Sequence, residues 1–248
     1  MSDPHILVRH ADGIMSLTLA RPERRNALTL GMYRALADAL TAATHDTQIK
    51  AVLLTGADGY FTAGNDLADF IDYRKGGEFV ALTFLHALAA CKKPIVAAVE
   101  RGAIGVGATL LQHCDFVYAG RSTRLSLPFI NFGLSVEGGT SLALGRGPLA
   151  RQVTRWLMLG EPFSADEALA AGLVTEVLDD DTTLAAAQTT AARLAAMPSE
   201  PLQRTKALLQ KARGPMHETL AEEIDHFTSL LQGEFAQDQL RRFTSKGK

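Results

Sequence analysis

Short strand-like stretches, apolar at 6–8 and alternating over 15–19, lie on either side of Asp12-Gly13. That is the pattern of a β-hairpin closed by a tight Asp-Gly turn. Largely apolar runs follow at 51–56, 95–99 and 114–119, with shorter strand-like stretches at 124–129 and 174–178. Runs of this length predict strands buried on both faces. Between them the apolar spacing changes to that of a helix. From about Thr29, Met32, Leu36, Ala39, Leu40 and Ala43 share one face, and 79–88 is strongly apolar. Further helices are predicted from about 142, over 151–159 with Trp156 in the packed face, from Ser164 to Ala171-Gly172, and from Asp181. Strands alternating with helices predict an α/β fold. Pro198-Ser199-Glu200-Pro201 then reads as a boundary. It divides a core, 1–197, from a helical C-terminal subdomain, 198–248. The subdomain holds a helix over 202–213, a Gly214-Pro215 break, and an amphipathic helix carrying Leu220, Ile224, Phe227 and Leu231.

Two loops carry the candidate chemistry. Phe61-Thr62-Ala63-Gly64-Asn65-Asp66-Leu67 follows the 51–56 strand. Gly64 permits a sharp bend, small Ala63 lets a ligand lie against the main chain, and Asp66 is placed to cap a short helix from Leu67. Glu100-Arg101-Gly102-Ala103-Ile104-Gly105-Val106-Gly107-Ala108-Thr109 follows the 95–99 strand, giving strand, glycine turn, helix, strand. Both loops open onto helix starts, whose free N–H groups favour negative charge. Two such termini facing one pocket would form an oxyanion hole.

The 248 residues are 47% hydrophobic and 21% charged, with a net charge of −2, which suits one large globular unit. No broad basic field is available for nucleic acid or an anionic membrane, and no apolar run is long enough to span a bilayer. Cys91 and Cys114 sit in apolar contexts and read as reduced core thiols. No Cys/His cluster suggests a metal. Without a secretory leader or a Ser-Lys-Leu ending, the expectation is a cytoplasmic enzyme.

Arg21-Pro22 with Asn26-Ala27-Leu28, the 61–67 loop, 93–115, Phe132-Gly133-Leu134 and Ala170-Ala171-Gly172-Leu173-Val174 together resemble the crotonase superfamily of enoyl-CoA hydratases and isomerases. The likeness covers most of the chain. It implies a ClpP/crotonase spiral of repeated β-β-α units with a helical C-terminal subdomain, and a homotrimer or dimer of trimers. It implies an acyl-CoA substrate, so that coenzyme A enters with the substrate and no other cofactor is expected. The oxyanion donors would be the backbone amides of Asn65 and Val106, although the family usually has Gly at the second position. CoA or substrate contacts would come from Arg25, with Arg24 as the alternative, and from Ala27, Ala63, Asp66, Leu67, Thr109 and Phe129. The polar 69–77 stretch would lie over the acyl site.

Hydratases of this superfamily use two glutamates, and this chain has Thr109 and Phe129 at those positions. Glu137, in Ser-Val-Glu-Gly-Gly, falls instead where single-glutamate 3-enoyl-CoA isomerases carry their catalytic residue. The resemblance therefore favours double-bond isomerisation with Glu137 as proton shuttle, while a helix-capping role for Glu137 stays open. A dehalogenase-like substitution or hydrolysis using Glu137 and His86 is the alternative enzyme, against which His86 reads better as a buried, hydrogen-bonded histidine. His113 reads as structural. A non-catalytic acyl-CoA-binding or RNA-binding protein is the other alternative, but no lysine comb for RNA is present.

Overall fold

A computed structural model describes residues 3–71, 79–147 and 149–246. Its elements, in chain order, are β1 (Ile6–Ala11), β2 (Ile14–Leu19), α1 (Leu30–His45), β3 (Ala51–Gly56), α2 (Val80–Ala90), β4 (Ile95–Val99), β5 (Gly102–Ile104) and α3 (Val106–Thr109). There follow β6 (Phe116–Gly120), β7 (Arg124–Ser126), α4 (Thr140–Gly145), α5 (Ala150–Leu159), β8 (Phe163–Ser164), α6 (Ala165–Ala170) and β9 (Glu176–Leu178). The chain closes with α7 (Thr183–Ala195), α8 (Ser199–Ala212), α9 (Met216–Leu231) and α10 (Glu234–Lys246).

The larger sheet runs β1-β2-β3-β4-β6-β9, antiparallel only at the β1–β2 hairpin. Asp12 and Gly13 both have positive φ, as the predicted hairpin turn needs. A smaller sheet, β5-β7-β8, forms a second layer, and a bridge between Thr62 and Ala103 brings the 61–67 loop alongside it. The β4–β5–α3 and β6–β7–α4 segments each lay one strand in each layer before a helix follows. This is the expected α/β spiral of β-β-α units with a helical C-terminal region.

Helix starts agree with their sequence signals. Thr29 caps α1, Asp66 caps a short 3-10 turn over Leu67–Phe70, and Ser164 forms a capping box with Glu167. Four expectations change. The glycine turn at 102–104 contains a strand, β5, which is too short for a periodic signal but is fixed by β7 and Thr62. The 174–178 strand shortens to β9. Residues 199–201 are the first turn of α8 rather than a linker, because proline's missing N–H costs nothing there. The last helix, α10, has no counterpart among the sequence-based elements. Of the 69–77 stretch, residues 72–77 lie outside those described.

Buried polar groups tie the C-terminal helices onto the core. Lys206 of α8 reaches Asp115 at 2.7 Å and the Lys93 carbonyl at 2.8 Å. Gln237 of α10 donates to the Phe70 carbonyl at 3.1 Å. Phe227 of α9 contacts Phe79 and Phe129, with ring centroids 5.4 and 6.2 Å apart, and Phe79 in turn contacts Phe70 at 5.8 Å. Removing one partner of a buried pair such as Lys206–Asp115 typically costs about 3–5 kcal/mol, so this anchor is as consequential as a core side chain. Among the described residues no helix is long and apolar enough to cross a membrane.

Candidate active site

The site forms where β3 and β4 end and the 61–67 and 102–109 segments meet. Gly64 sets that meeting. Its φ is +85°, and a Cβ there would overlap the Ile104 carbonyl oxygen, so the two backbones touch. Leu28 donates to the Gly64 carbonyl and Asp66 to the Leu28 carbonyl, both at 2.8 Å, so the Asn65 amide points away from that ladder. Among the described residues neither the Asn65 nor the Val106 amide donates to a protein acceptor. Two unpaired donors on touching loops can hold an oxygen that gains negative charge.

The loops are held from below. Asn26, fully buried, accepts from the Arg21 amide at 2.8 Å and donates to the carbonyls of Ala57 and Tyr60 at 3.0 and 2.6 Å. Thr62 donates to the Asn26 carbonyl at 2.7 Å. Ala63 donates to the Arg25 carbonyl at 2.9 Å, which draws Arg25, Ala27, Ala63 and Leu67 into one neighbourhood. The Arg24 and Arg25 side chains are exposed, with the Arg25 guanidinium 5.9 Å from the Tyr60 ring centroid. Asp66 caps the short helix as expected. Its carboxylate is engaged within the protein, by Arg21 at 2.7 Å and by the Ala68 amide at 3.2 Å, and so fixes the loop. Arg21 also donates to the Ala27 carbonyl at 3.2 Å.

Thr109, one helical turn after Val106, donates its hydroxyl to Glu137 at 2.6 Å. Gly138, with φ +83°, lets this contact form: a Cβ there would lie 2.9 Å from the Thr109 hydroxyl oxygen. Glu137 is 2% exposed. Burial pushes its carboxyl up to about 7, the Thr109 hydrogen bond works against that shift, and the nearby charge of Glu223 adds to it. A carboxyl poised near neutrality can both take and return a proton. Phe129 is buried, and its ring comes within 4.0 Å of where a Gly105 Cβ would stand.

Sequence reasoning missed three supporting groups, Tyr33, Glu223 and Gln112, whereas His113 is structural as expected. Tyr33 is fully buried on α1 and donates its hydroxyl to the Asn65 side-chain oxygen. Burial first, then the charges of Glu137 and Asp69, raise its hydroxyl well above the usual tyrosine value. The signal was available, since a tyrosine on the core face of a helix needs a polar partner. Glu223 of α9 accepts from the amides of Gly139 and Ser141 at 2.6 and 2.8 Å and from the Ser141 hydroxyl at 2.5 Å. It falls in the apolar stripe of Leu220, Ile224 and Phe227, where a carboxylate must find donors. Gln112 and His113 both engage the Gly138 carbonyl, His113 at 2.8 Å. Burial pushes His113 down to about 4, so it is the neutral imidazole that holds this turn. His86 is not the buried, hydrogen-bonded histidine expected. It is half-buried, stacks on His217 at 5.7 Å, and has its pKa lowered by burial and by that neighbour.

The sequence model of the enoyl-CoA hydratase/isomerase family matches residues 9–248. The chain belongs to that family. Among curated relatives of this family member, human enoyl-CoA delta isomerase 2 is 33% identical over 243 residues, covering 94% of this chain and 60% of the human protein. The chain thus spans less than two thirds of that relative. Escherichia coli 2,3-dehydroadipyl-CoA hydratase is 32% identical over 97% of this chain and 96% of the relative. The crystal structure of an enoyl-CoA hydratase/isomerase from Pseudoalteromonas atlantica superposes with a TM-score of 0.91 at 37% identity, covering 98% of this chain and 97% of that one.

Proposed function

We propose that the enzyme moves the double bond of a 3-enoyl-CoA into conjugation, with Glu137 as the single proton shuttle. The thioester oxygen sits between the Asn65 and Val106 amides. The C2–H bond breaks, its proton passes to the Glu137 carboxylate, and the electron pair spreads through a dienolate onto the thioester oxygen. The carboxyl proton then goes to C4, leaving a C2–C3 double bond. Phe129, with Phe227 and Phe79 behind it, keeps water from the dienolate. CoA lies along Arg25, Ala27, Ala63 and Leu67. The observation that carries this proposal is a fully buried carboxyl, raised to about 7, hydrogen-bonded to the helix that begins with the Val106 amide.

Incubation with a 3-enoyl-CoA should yield the conjugated thioester, visible by its ultraviolet absorbance and with no change in mass. A product heavier by one water would make the enzyme a hydratase. Asn65→Ala should bind acyl-CoA as the wild type does, whereas Asn65→Pro removes one donor and should lower turnover by about a hundredfold or more. Equal turnover by the proline variant would remove Asn65 from the oxyanion site.

The same family likeness supports a homotrimer or dimer of trimers. Leu208, Phe235 and Phe243 lie exposed on α8 and α10, where subunits would meet. Light scattering at micromolar concentration should report a multiple of three chains, and a monomer alone would count against this assembly.

A further inference from the structure

The main chain alone does not fix the aim of the Asn65 amide. Leu28 donates to the Gly64 carbonyl and accepts from the Asp66 amide, so both bonds lie along one ladder, the parallel bridge between Leu28 and Asn65. Two bonds on one line leave the segment between them free to tilt about that line. The Asn65 amide shares a planar peptide with the Gly64 carbonyl, so any such tilt swings its N–H directly. A contact off the line is needed to hold it.

The Asn65 side chain makes that contact. Its amide oxygen accepts from the Tyr33 hydroxyl. Tyr33 stands in the first turn of α1, with its own amide bonded to the carbonyl of the capping Thr29 at 3.1 Å. One short stretch, 28–33, therefore holds Asn65 through main chain and side chain together. The Tyr33 residue is 0% exposed, and its ring meets that of Phe84 in α2 with centroids 5.5 Å apart, so it has no room to follow a moving Asn65. For packing alone a phenylalanine would serve here. Among the described residues the hydroxyl's hydrogen bond is to Asn65. Burial, and then the charges of Glu137 and Asp69, raise its pKa, so it stays a neutral donor across the working range of pH.

We propose that Tyr33 is a positioning residue, which by holding the Asn65 side chain aims the Asn65 backbone amide at the thioester oxygen of the substrate. The role rests on the reading of that amide as an oxyanion donor, which Asn65→Pro tests separately. Tyr33 acts through Asn65 and carries no proton to or from the substrate, so its effect should fall on kcat and not on binding.

Tyr33→Phe keeps the ring and leaves the Asn65 oxygen without its donor. It should lower kcat for the enoyl-CoA by about tenfold or more, short of the loss of about a hundredfold that follows when a group is displaced by about 1 Å, with KM unchanged. Asn65→Ala breaks the same contact from the other side and should lose a similar factor while binding acyl-CoA normally, which keeps the test valid if Tyr33→Phe folds poorly. Because both act through one contact, the double variant should lose no more than either single variant. The rise of turnover through about 7 should persist in Tyr33→Phe, since Glu137 is untouched. Wild-type kcat in Tyr33→Phe, whatever its melting temperature, would reduce the hydroxyl to a structural bond and overturn the proposal. So would losses that multiply in the double variant, or disappearance of the pH limb, which would make Tyr33 a proton carrier. If Asn65→Pro also turned over normally, the oxyanion assignment itself would fall, and with it this role; with Asn65→Pro inactive, the failure would belong to Tyr33 alone.

Discussion

Glu137→Gln is expected to lower isomerisation by about a hundredfold to ten-thousandfold while leaving CoA binding intact. Glutamine keeps the shape and can still accept from Thr109, but it cannot carry the proton. The pH dependence gives a second readout. The carboxylate is the active base, so wild-type turnover should rise with pH through about 7 and then level off, whereas any residual turnover of the variant should lack this limb. Stability should move oppositely. In the folded chain the Glu137 carboxyl is raised from its ordinary 4.5 to about 7, so the fold favours its protonated form. Its stabilising contribution is complete below 4.5 and is lost as pH rises through about 7, a difference of about 3 kcal/mol at most. The glutamine variant should therefore melt at or above the wild-type temperature at pH 8, and the gap should close in acid. If Glu137 served only to cap the following helix, the variant would melt lower and turn over normally. Retention of more than about a tenth of wild-type turnover would mean that another group moves the proton.

Gly64→Ala should be nearly as damaging, by a different route. The alanine is forced into a φ of +85° and its methyl meets the Ile104 carbonyl oxygen, so the two amide-bearing loops must part. Backbone strain of this kind costs about 1–3 kcal/mol. Displacing a donor by about 1 Å lowers turnover by about a hundredfold. Gly172→Ala is the control, because Gly172 has a similar φ of +79° with nothing within 4 Å of the added methyl. It should lose stability alone. If both variants turn over equally, the close approach at Gly64 does not set the geometry of the site.

The hairpin, the apolar strands β3 and β4, and the capped starts of α1 and α6 were legible because each rests on neighbours in the sequence. β5 was not, since three residues carry no period and their pairing comes from Thr62 and β7. The start of α8 was misjudged because two prolines resemble a break until one of them falls in a first turn. At the site, the glycines could be named from their loops and Glu137 only through the family resemblance, but their supports could not. Tyr33 and Asn65 are 32 positions apart, and Glu223 and Gly139 are 84 apart. Such contacts appear only after the chain has folded back on itself. Asp66 shows the converse. Its capping role was visible locally, but the Arg21 partner that turns its carboxylate inward was not.

The grip of Glu223 on the turn after Glu137 has a temporal consequence. A ribosome delivers this chain from its N-terminal end, so the two amide-bearing loops emerge long before α9. Until α9 docks, the amides of Gly139 and Ser141 lack their acceptor, and the turn after Glu137 is held only by Thr109, Gln112 and His113 among the described residues. The late helix thus ties the ordering of this turn to a segment more than eighty positions further along the chain.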